Sequence, residues 1–364
     1  MGFTLFNLHP KYIHYFSKTT RFFSFYIPFH MKKIVFVLLF LALLAFGAFQ
    51  LGKQSLFGPS EVSARTLFQV DAGASVAKVA KDLEEQGLVS HSKLFYWWCR
   101  YRKAALKAGW YDIPPRTSIA SLAEILTSGK TATRKVTIPE GRASWEMPAY
   151  FRKVLPDFDS CAWESLIHDP EFAKELGVQA GSLEGYLLPD TYPVEINASE
   201  KDVARQMVRA NQKLEAEMKS LNSPFWNILG GWHGVLTLAS VVEEETGKTD
   251  ERNLIAGVFH NRLRMGIPLG ADPTVRFIFR NLTGPIYKSQ LQSDNPYNTR
   301  RFPGLMPGPI SNPGRKAIRA ALEPATTNAL YFVAKDDGSG THFFSNTLAD
   351  HNKFKNKAAK NRGE

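Results

Sequence analysis

The chain has 364 residues, with 45 Lys and Arg against 34 Asp and Glu, and a formal net charge of +11 at pH 7. A hydrophobic share of 44% and a charged share of 22% are typical of globular proteins, which excludes a disordered, collagen-like or coiled-coil chain. The length allows two domains plus accessory segments. Two cysteines, Cys99 and Cys161, are too few for a disulfide scaffold or a cysteine-based metal cluster, and no local pattern shows whether they pair.

Positive charge is concentrated around one long apolar segment. Residues 1–60 carry six basic residues and no acid, so the remaining chain is only mildly basic and its charge does not argue for nucleic acid binding. The 19 residues between Lys33 and Lys53 are uncharged and mostly apolar, which is long enough for a helix to span a bilayer. Five of the six basic residues precede this segment, which predicts a cytoplasmic N-terminus and an exported body. The alternative is a signal peptide cleaved near Ala45-Phe46-Gly47, but the apolar run exceeds a typical signal core, which favours an uncleaved anchor over residues 31–53.

Residues 1–30 contain ten Phe or Tyr residues and show no amphipathic period. Because Met31-Lys32-Lys33 is a natural start, this segment is either an upstream start assigned in error or a cytoplasmic extension. We assign it no function.

Residues 54–134 are predicted to form a small α/β unit after a short Gly/Pro/Ser linker. The pattern predicts, in order, a strand at 67–70, a helix capped by Ser75, an aromatic-rich helix at 92–108, a strand at 110–113 and a third helix capped by Ser118. The stretch from Ser75 to Val89 resembles part of a LysM-type glycan-binding repeat. The alternative is an α/β spacer whose aromatic side chains belong to its core.

Residues 135–355 mix helices and strands without regular alternation, which predicts a larger α+β domain, and residues 356–364 form a basic tail. Helical patterns cover 143–154, 160–168, 171–176, 200–220, 235–246, 251–265 and 315–322, and strand patterns cover 136–141, 330–334 and 341–345. The segment 266–314 is rich in Pro, Gly and Asn, and so long a loop inside a compact domain is usually functional.

The predicted helix at 235–246 ends in three successive acids, Glu243, Glu244 and Glu245. Helical periodicity places Glu244 opposite the apolar face, in solvent, and places Glu243 and Glu245 at the two edges of that face. A carboxyl half-buried among apolar side chains has a raised pKa and can hold a proton near neutral pH, as a general acid must. The alternative is an ordinary charged helix end.

Six motifs follow one another along the chain, and their order narrows the class of protein to which the chain can belong. They are Glu184-Gly-Tyr-Leu-Leu-Pro-Asp-Thr-Tyr192, Leu238-Ala-Ser-Val-Val-Glu-Glu-Glu-Thr246, Asp272-Pro-Thr-Val275, Tyr297-Asn-Thr299, Gly308-Pro-Ile-Ser-Asn-Pro-Gly314 and His342-Phe-Phe-Ser-Asn-Thr347. From the anchor to the C-terminus the chain resembles the YceG-like endolytic murein transglycosylases. The resemblance implies a single-pass inner-membrane anchor, a LysM-like subdomain and a periplasmic catalytic domain that cuts peptidoglycan glycan strands internally, leaving 1,6-anhydro-N-acetylmuramic ends. It further implies that nascent strands are terminated beside peptidoglycan synthases.

The resemblance assigns the catalytic acid to the first carboxyl of the Val-Glu-x-Glu-Thr motif, Glu243. One carboxyl suffices for this reaction, because the C6 hydroxyl of the muramic acid attacks its own C1 and no water has to be activated. We expect neutral Glu243 to protonate the glycosidic oxygen between N-acetylmuramic acid and N-acetylglucosamine, and its carboxylate then to accept the C6 hydroxyl proton.

Six further residues are candidate substrate-binding residues: Glu184, Asp272, Tyr297, Asn298, Ser311 and Asn312. Glu184 either lines the cleft, caps a helix or pairs with an arginine, and Asp272 either caps a helix beginning at Thr274 or faces the cleft. Tyr297 either stacks on a pyranose ring or is buried. The Asn and Ser side chains suit the N-acetyl and hydroxyl groups of a sugar, and they are equally suited to forming turns.

We expect no metal or cofactor. His342 and His351 are nine residues apart and the nearest acid only adjoins His351, which favours a structural role for both. The sequence contains no Gly-x-Ser-x-Gly elbow and no Gly-rich phosphate loop. Two rival functions remain: a membrane-tethered protein that binds peptidoglycan without cutting it, and a hydrolytic glycosidase that produces reducing ends.

Overall fold

The computed structural model describes residues 29–60, 62–280 and 282–363. The predictions for the N-terminal extension therefore fall, up to residue 28, outside the described residues. Contacts divide the chain into two compact units, an N-terminal unit ending at Lys130 and a C-terminal unit beginning at Thr131. Helices and strands are mixed, and the described strands form three separate two-stranded antiparallel sheets, which confirms the predicted α+β class.

The N-terminal unit contains four helices and two strands within its described residues. They are α1 Phe29–Phe57, β1 Thr66–Val70, α2 Val76–Glu85, α3 Ser92–Arg102, β2 Gly109–Ile113 and α4 Ile119–Ser128. The part of α1 from Lys33 to Phe57 is long and apolar enough to cross a membrane, and no other helix of the described ranges is. The helix agrees with the predicted anchor.

The core of the N-terminal unit follows the local signals of the sequence. Ser75 and Ser118 accept hydrogen bonds from the backbone N–H groups of the first turns of α2 and α4, as predicted. The prediction for the aromatic-rich helix was six residues too long at its C-terminal end. Lys103 takes a left-handed conformation with φ of 50°, and α3 ends before it.

The C-terminal unit carries the remaining elements. They are β3 Thr133–Thr137, α5 Pro148–Phe151, α6 Ser160–Ile167, α7 Pro170–Glu175, β4 Thr191–Glu195, α8 Glu200–Lys219, α9 Phe225–Ile228, α10 Trp232–Glu245, α11 Arg252–Arg264, α12 Asp272–Ile278, α13 Lys288–Leu291, α14 Arg315–Leu322, β5 Tyr331–Ala334, β6 His342–Ser345 and α15 Leu348–Arg362. β3 pairs with β4, and β5 pairs with β6.

Three predictions for this unit were wrong in detail. The helix predicted at 143–154 is a 3₁₀ turn, Ser144–Glu146, followed by the short α5, which begins at Pro148. The basic tail is the end of α15, whose N-cap Thr347 accepts a hydrogen bond from the backbone of Asp350. The segment 266–314 is not a continuous loop, because it contains α12 and α13.

Helix α10 lies at the centre of the C-terminal unit. Every residue from Gly234 to Val242 is buried, and the helix packs against α11 and α14. Close packing of this kind leaves little freedom to the backbone that follows. The last turn of α10, which carries the three acids, is therefore held in a fixed position where the helix leaves the core.

Candidate active site

The last turn of α10 breaks a local rule of helix stability. Glu243, Glu244 and Glu245 occupy the C-terminal end of the helix, where the macrodipole is negative and carboxylates are disfavoured. Local rules are most often broken at functional sites. The surroundings of the three carboxyls differ enough to give each a different chemistry.

Glu243 is held in a buried ion pair. Arg252 Nη2 donates to Glu243 Oε1 over 2.7 Å, and the two side chains are 7% and 6% exposed. The backbone N–H of Gly314 donates to the other carboxylate oxygen over 2.9 Å. We expected a carboxyl half-buried among apolar side chains at the edge of the core. The structure instead gives Glu243 two polar partners, the guanidinium of Arg252 and the backbone N–H of Gly314.

Glu245 has the environment of a general acid. Its side chain is partly buried, and no group of the described residues donates a hydrogen bond to its carboxyl. Burial, together with the neighbouring carboxylate of Asp272, raises the pKa of Glu245 to about 7 against the opposing charges of Arg300 and Arg262. Glu245 can therefore carry a proton near neutral pH.

Glu244 lies in the same turn but is more open to water. Burial of its carboxyl, with the nearby charges of Glu146 and Glu243, raises the pKa of Glu244 to about 7. The residue as a whole is nevertheless exposed. Water screens charges at exposed positions, so Glu245 is better shielded than Glu244 as a proton donor.

Two cavities of the C-terminal unit meet at Glu245 and Asp272. One has a volume of about 560 Å³ and is also lined by Trp145, Phe277 and Ser311. The other has a volume of about 570 Å³ and extends toward β5 and α15. Glu245 and Asp272 line both cavities, and we call the two cavities together the groove. Glu243 lines neither cavity.

Aromatic rings form one wall of the first cavity. The rings of Trp145 and Phe277 are 5.3 Å apart, and the guanidinium of Arg280 lies 4.2 Å from the centre of the Trp145 ring. Aromatic side chains that line a cavity suit the apolar faces of sugar rings. Trp145 was not among the predicted site residues, because a single tryptophan inside a predicted helix gives no signal that distinguishes a cavity wall from a core.

Two of the predicted substrate-binding residues lie at the groove. Ser311 lines the first cavity, and Asp272 lines both. Arg300 Nε donates to Asp272 Oδ1 over 2.6 Å, so Asp272 is paired while it faces the groove. The N-cap of α12 is Ala271 and Asp272 is the first residue of the helix, so the predicted capping role of Asp272 was wrong.

The other predicted substrate-binding residues lie behind the groove wall. Glu184 is 3% exposed and accepts hydrogen bonds from the backbone and hydroxyl of Ser144 and from Asn312 Nδ2, while burial raises the pKa of Glu184 to about 7. Asn298 is buried and donates to two carbonyls of its own loop, and the partly buried Tyr297 ring lies 5.0 Å from Phe277. These side chains support the wall, and sugar contact by any of them stays a prediction.

The two histidines considered for a metal are engaged in other contacts. His342 Nδ1 lies 2.7 Å from Glu251 Oε2, and the ring of His351 lies 5.3 Å from that of Tyr331. Within the described ranges, no group of three or more His, Cys, Asp or Glu side chains is arranged to hold a metal ion.

The fold and the site define a mixed α+β protein in which two cavities share a carboxyl, that of Glu245, whose pKa is raised to about 7. The chain belongs to the YceG-like family, whose profile matches residues 68–357. An endolytic murein transglycosylase of Bacillus subtilis (strain 168) is 32% identical over 340 residues, which cover 87% of this chain and 92% of that relative.

Two further similarities support the same family. An endolytic murein transglycosylase of Streptococcus pneumoniae serotype 2 (strain D39 / NCTC 7466) is 29% identical over 362 residues, covering 89% of this chain and 65% of that relative. The crystal structure of a yceG-like protein from Listeria monocytogenes superposes with a TM-score of 0.55 at 29% identity, covering 80% of this chain and 99% of that one.

Proposed function

We propose that this chain is an endolytic murein transglycosylase, a lyase that cuts the bond between N-acetylmuramic acid and N-acetylglucosamine within peptidoglycan strands. The names of its relatives support this activity. The groove supports it independently, because a carboxyl with a pKa of about 7 lies where two cavities meet. Cleavage inside a strand requires sugar sites on both sides of the broken bond, and a closed pocket would provide only one.

The position of Glu245 is the observation that carries the mechanism. We infer that protonated Glu245 donates its proton to the glycosidic oxygen as the C1–O bond breaks, releasing the N-acetylglucosamine hydroxyl. The resulting carboxylate stabilises the positive charge at C1. It then accepts the proton of the C6 hydroxyl as that oxygen bonds to C1, which closes the 1,6-anhydro ring and restores the acid.

The ion pair of Glu243 argues against the same role for that residue. One carboxylate oxygen of Glu243 is held by Arg252 and the other by the N–H of Gly314, and the side chain lines neither cavity. We therefore assign Glu243 to holding the last turn of α10 in place. The assignment of catalysis to Glu243, made from the sequence, is the alternative that substitution must test.

The location of the reaction follows from α1. We propose that α1 is a single membrane anchor with a cytoplasmic N-terminus and that the units after it lie in the periplasm, because five basic residues precede the apolar run. An enzyme anchored in the membrane would cleave glycan strands as they are made. This location fits termination of nascent strands beside peptidoglycan synthases. A LysM-like, glycan-binding role for the N-terminal unit stays a prediction.

The products of purified sacculi incubated with the full chain test this function. We expect fragments with 1,6-anhydro ends, which are lighter by one water than the corresponding reducing-end fragments. Reducing-end products would identify a hydrolase. Binding to sacculi with no soluble product would identify a peptidoglycan-binding protein.

A further inference from the structure

Helix α3 presents large aromatic side chains to solvent. Trp97 is 66% exposed and Tyr101 is 80% exposed, and they lie four residues apart on the same helical face as Lys93. The ring of Trp98 lies 6.0 Å from that of Tyr101. We call Trp97, Trp98 and Tyr101 the aromatic face of α3. Exposed aromatic clusters on a folded unit usually mark a surface that binds something.

The chain around the aromatic face is strongly basic. Residues 90–110 contain five basic side chains and no acid: Lys93, Arg100, Arg102, Lys103 and Lys107. The guanidinium of Arg102 lies 5.7 Å from the centre of the Trp98 ring. Aromatic rings flanked by lysine and arginine are typical of the boundary between a bilayer and water, where the rings enter the headgroup layer and the cations meet lipid phosphates.

The end of α1 brings this surface to the level of the membrane. The rings of Phe57, the last residue of α1, and Trp98 are 5.4 Å apart, and Leu56 packs against the core of the N-terminal unit. Phe57 is five residues beyond Gly52, where the uncharged run ends, a helical rise of about 7.5 Å. The headgroup layer on one side of a bilayer is roughly 5–8 Å thick. Trp98 therefore lies at headgroup depth when the apolar run of α1 spans the hydrocarbon.

We propose that the aromatic face of α3 lies on the bilayer that α1 crosses and binds the headgroups of anionic phospholipids. The proposal rests on the membrane anchorage stated above and adds a second, peripheral contact. Such a contact fixes the orientation of the N-terminal unit at the membrane surface, which α1 alone would leave free to rotate about its exit point. A glycan-binding face is the competing occupant, because sugars also stack on tryptophan and tyrosine.

A fluorescent probe on α3 tests the proposal in the full chain. Lys93→Cys places a thiol on the aromatic face and keeps all three rings, while Cys161→Ser removes the exposed native thiol and the buried Cys99 stays unlabelled. The protein, labelled with nitrobenzoxadiazole, is reconstituted into phosphatidylcholine vesicles with or without phosphatidylglycerol. Quenching is measured with lipids that carry a nitroxide near the headgroup. The matched control is Glu85→Cys, an exposed position on α2.

We expect quenching at position 93 to be severalfold stronger than at position 85, to increase with phosphatidylglycerol, and to fall to the level of position 85 when Trp97→Ala and Tyr101→Ala are added. Equal quenching at both positions overturns the proposal. A probe that responds to soluble glycan strands and not to the lipid quencher also overturns it and identifies a glycan-binding face. Protein that fails to float with the vesicles rejects the anchorage and this proposal together, whereas flotation without quenching at position 93 rejects this proposal alone.

Discussion

Arg252, the first residue of α11, donates to the carboxylate of Glu243, near the end of α10, over 2.7 Å. Both side chains are less than a tenth exposed, so the pair joins the two helices inside the unit. On the proposed mechanism, the pair accounts for a structural role of Glu243 beside the catalytic Glu245. To donate a proton, Glu243 would have to break its contacts with both Arg252 and the backbone N–H of Gly314.

The first prediction concerns stability. Glu243→Gln removes the negative charge from a buried ion pair between α10 and α11, so we expect the free energy of unfolding to fall by ~1–3 kcal/mol. Glu244→Gln, at an exposed position in the same turn, should change it by less than ~0.5 kcal/mol. Urea denaturation of the full chain in detergent measures both. A stable Glu243→Gln protein with no activity would return the catalytic role to Glu243.

The second prediction concerns the pH dependence of cleavage. Glu245 must be protonated to act, and burial raises its pKa to about 7, so kcat/KM should fall as the pH rises through about 7. Asp272→Asn removes a carboxylate that raises this pKa and frees Arg300, whose charge lowers it. The fall should therefore move to lower pH in this variant. If the fall in kcat/KM stays at the same pH or moves to higher pH in this variant, a group other than Glu245 is being titrated.

The third prediction concerns the pH dependence of folding. Burial raises the pKa of Glu184 to about 7 in the folded state, above the ordinary value of 4.5. The folded protein therefore binds the proton more tightly than the unfolded chain, and stability declines as the pH rises from about 4.5 to about 7. Glu184→Gln, which cannot ionise, should flatten the decline, whereas the exposed Glu195→Gln should not. Urea titrations across this range would contradict the account if both variants kept the wild-type slope.

The fourth prediction concerns the loop that carries Ser311. Gly185 has φ of +84°, and a Cβ at this position would lie 2.3 Å from Cγ of Pro309. Gly185→Ala should therefore lower stability by ~1–3 kcal/mol and reduce cleavage by displacing the groove wall. Gly181→Ala is the control, since its Cβ would meet nothing within 4 Å. Thermal unfolding compares the two, and equal melting temperatures would rule out this strain.

Much of the fold was predictable because its signals are local. The caps at Ser75 and Ser118 need only a hydroxyl and the helix that follows, and the bounds of α14 match the sequence pattern. Strand β4 was missed. It contains Pro193, which argues against a strand in the sequence, yet the strand pairs with β3 alone and proline is tolerated at an unpaired edge.

The site was predictable only in part. Helical periodicity placed Glu243 and Glu245 equally at the edges of the core and gives no way to choose between them, so the choice of Glu243 came from the family resemblance alone. The partners that distinguish them lie far along the chain. Gly314, which donates to Glu243, is 71 residues beyond it. Asp272, whose carboxylate raises the pKa of Glu245, is the first residue of α12. The last turn of α10 could be identified from its motif, but the surroundings that distinguish Glu243 from Glu245 depend on tertiary contacts.

The most direct test of this account is the release of 1,6-anhydro fragments from purified sacculi by Glu245→Gln, compared with wild type at equal amounts of folded protein. An amide cannot donate the proton, so we expect release to fall by at least ~100-fold while the melting temperature is kept. Release at the wild-type rate would contradict the account, because the proton would then come from a group other than Glu245.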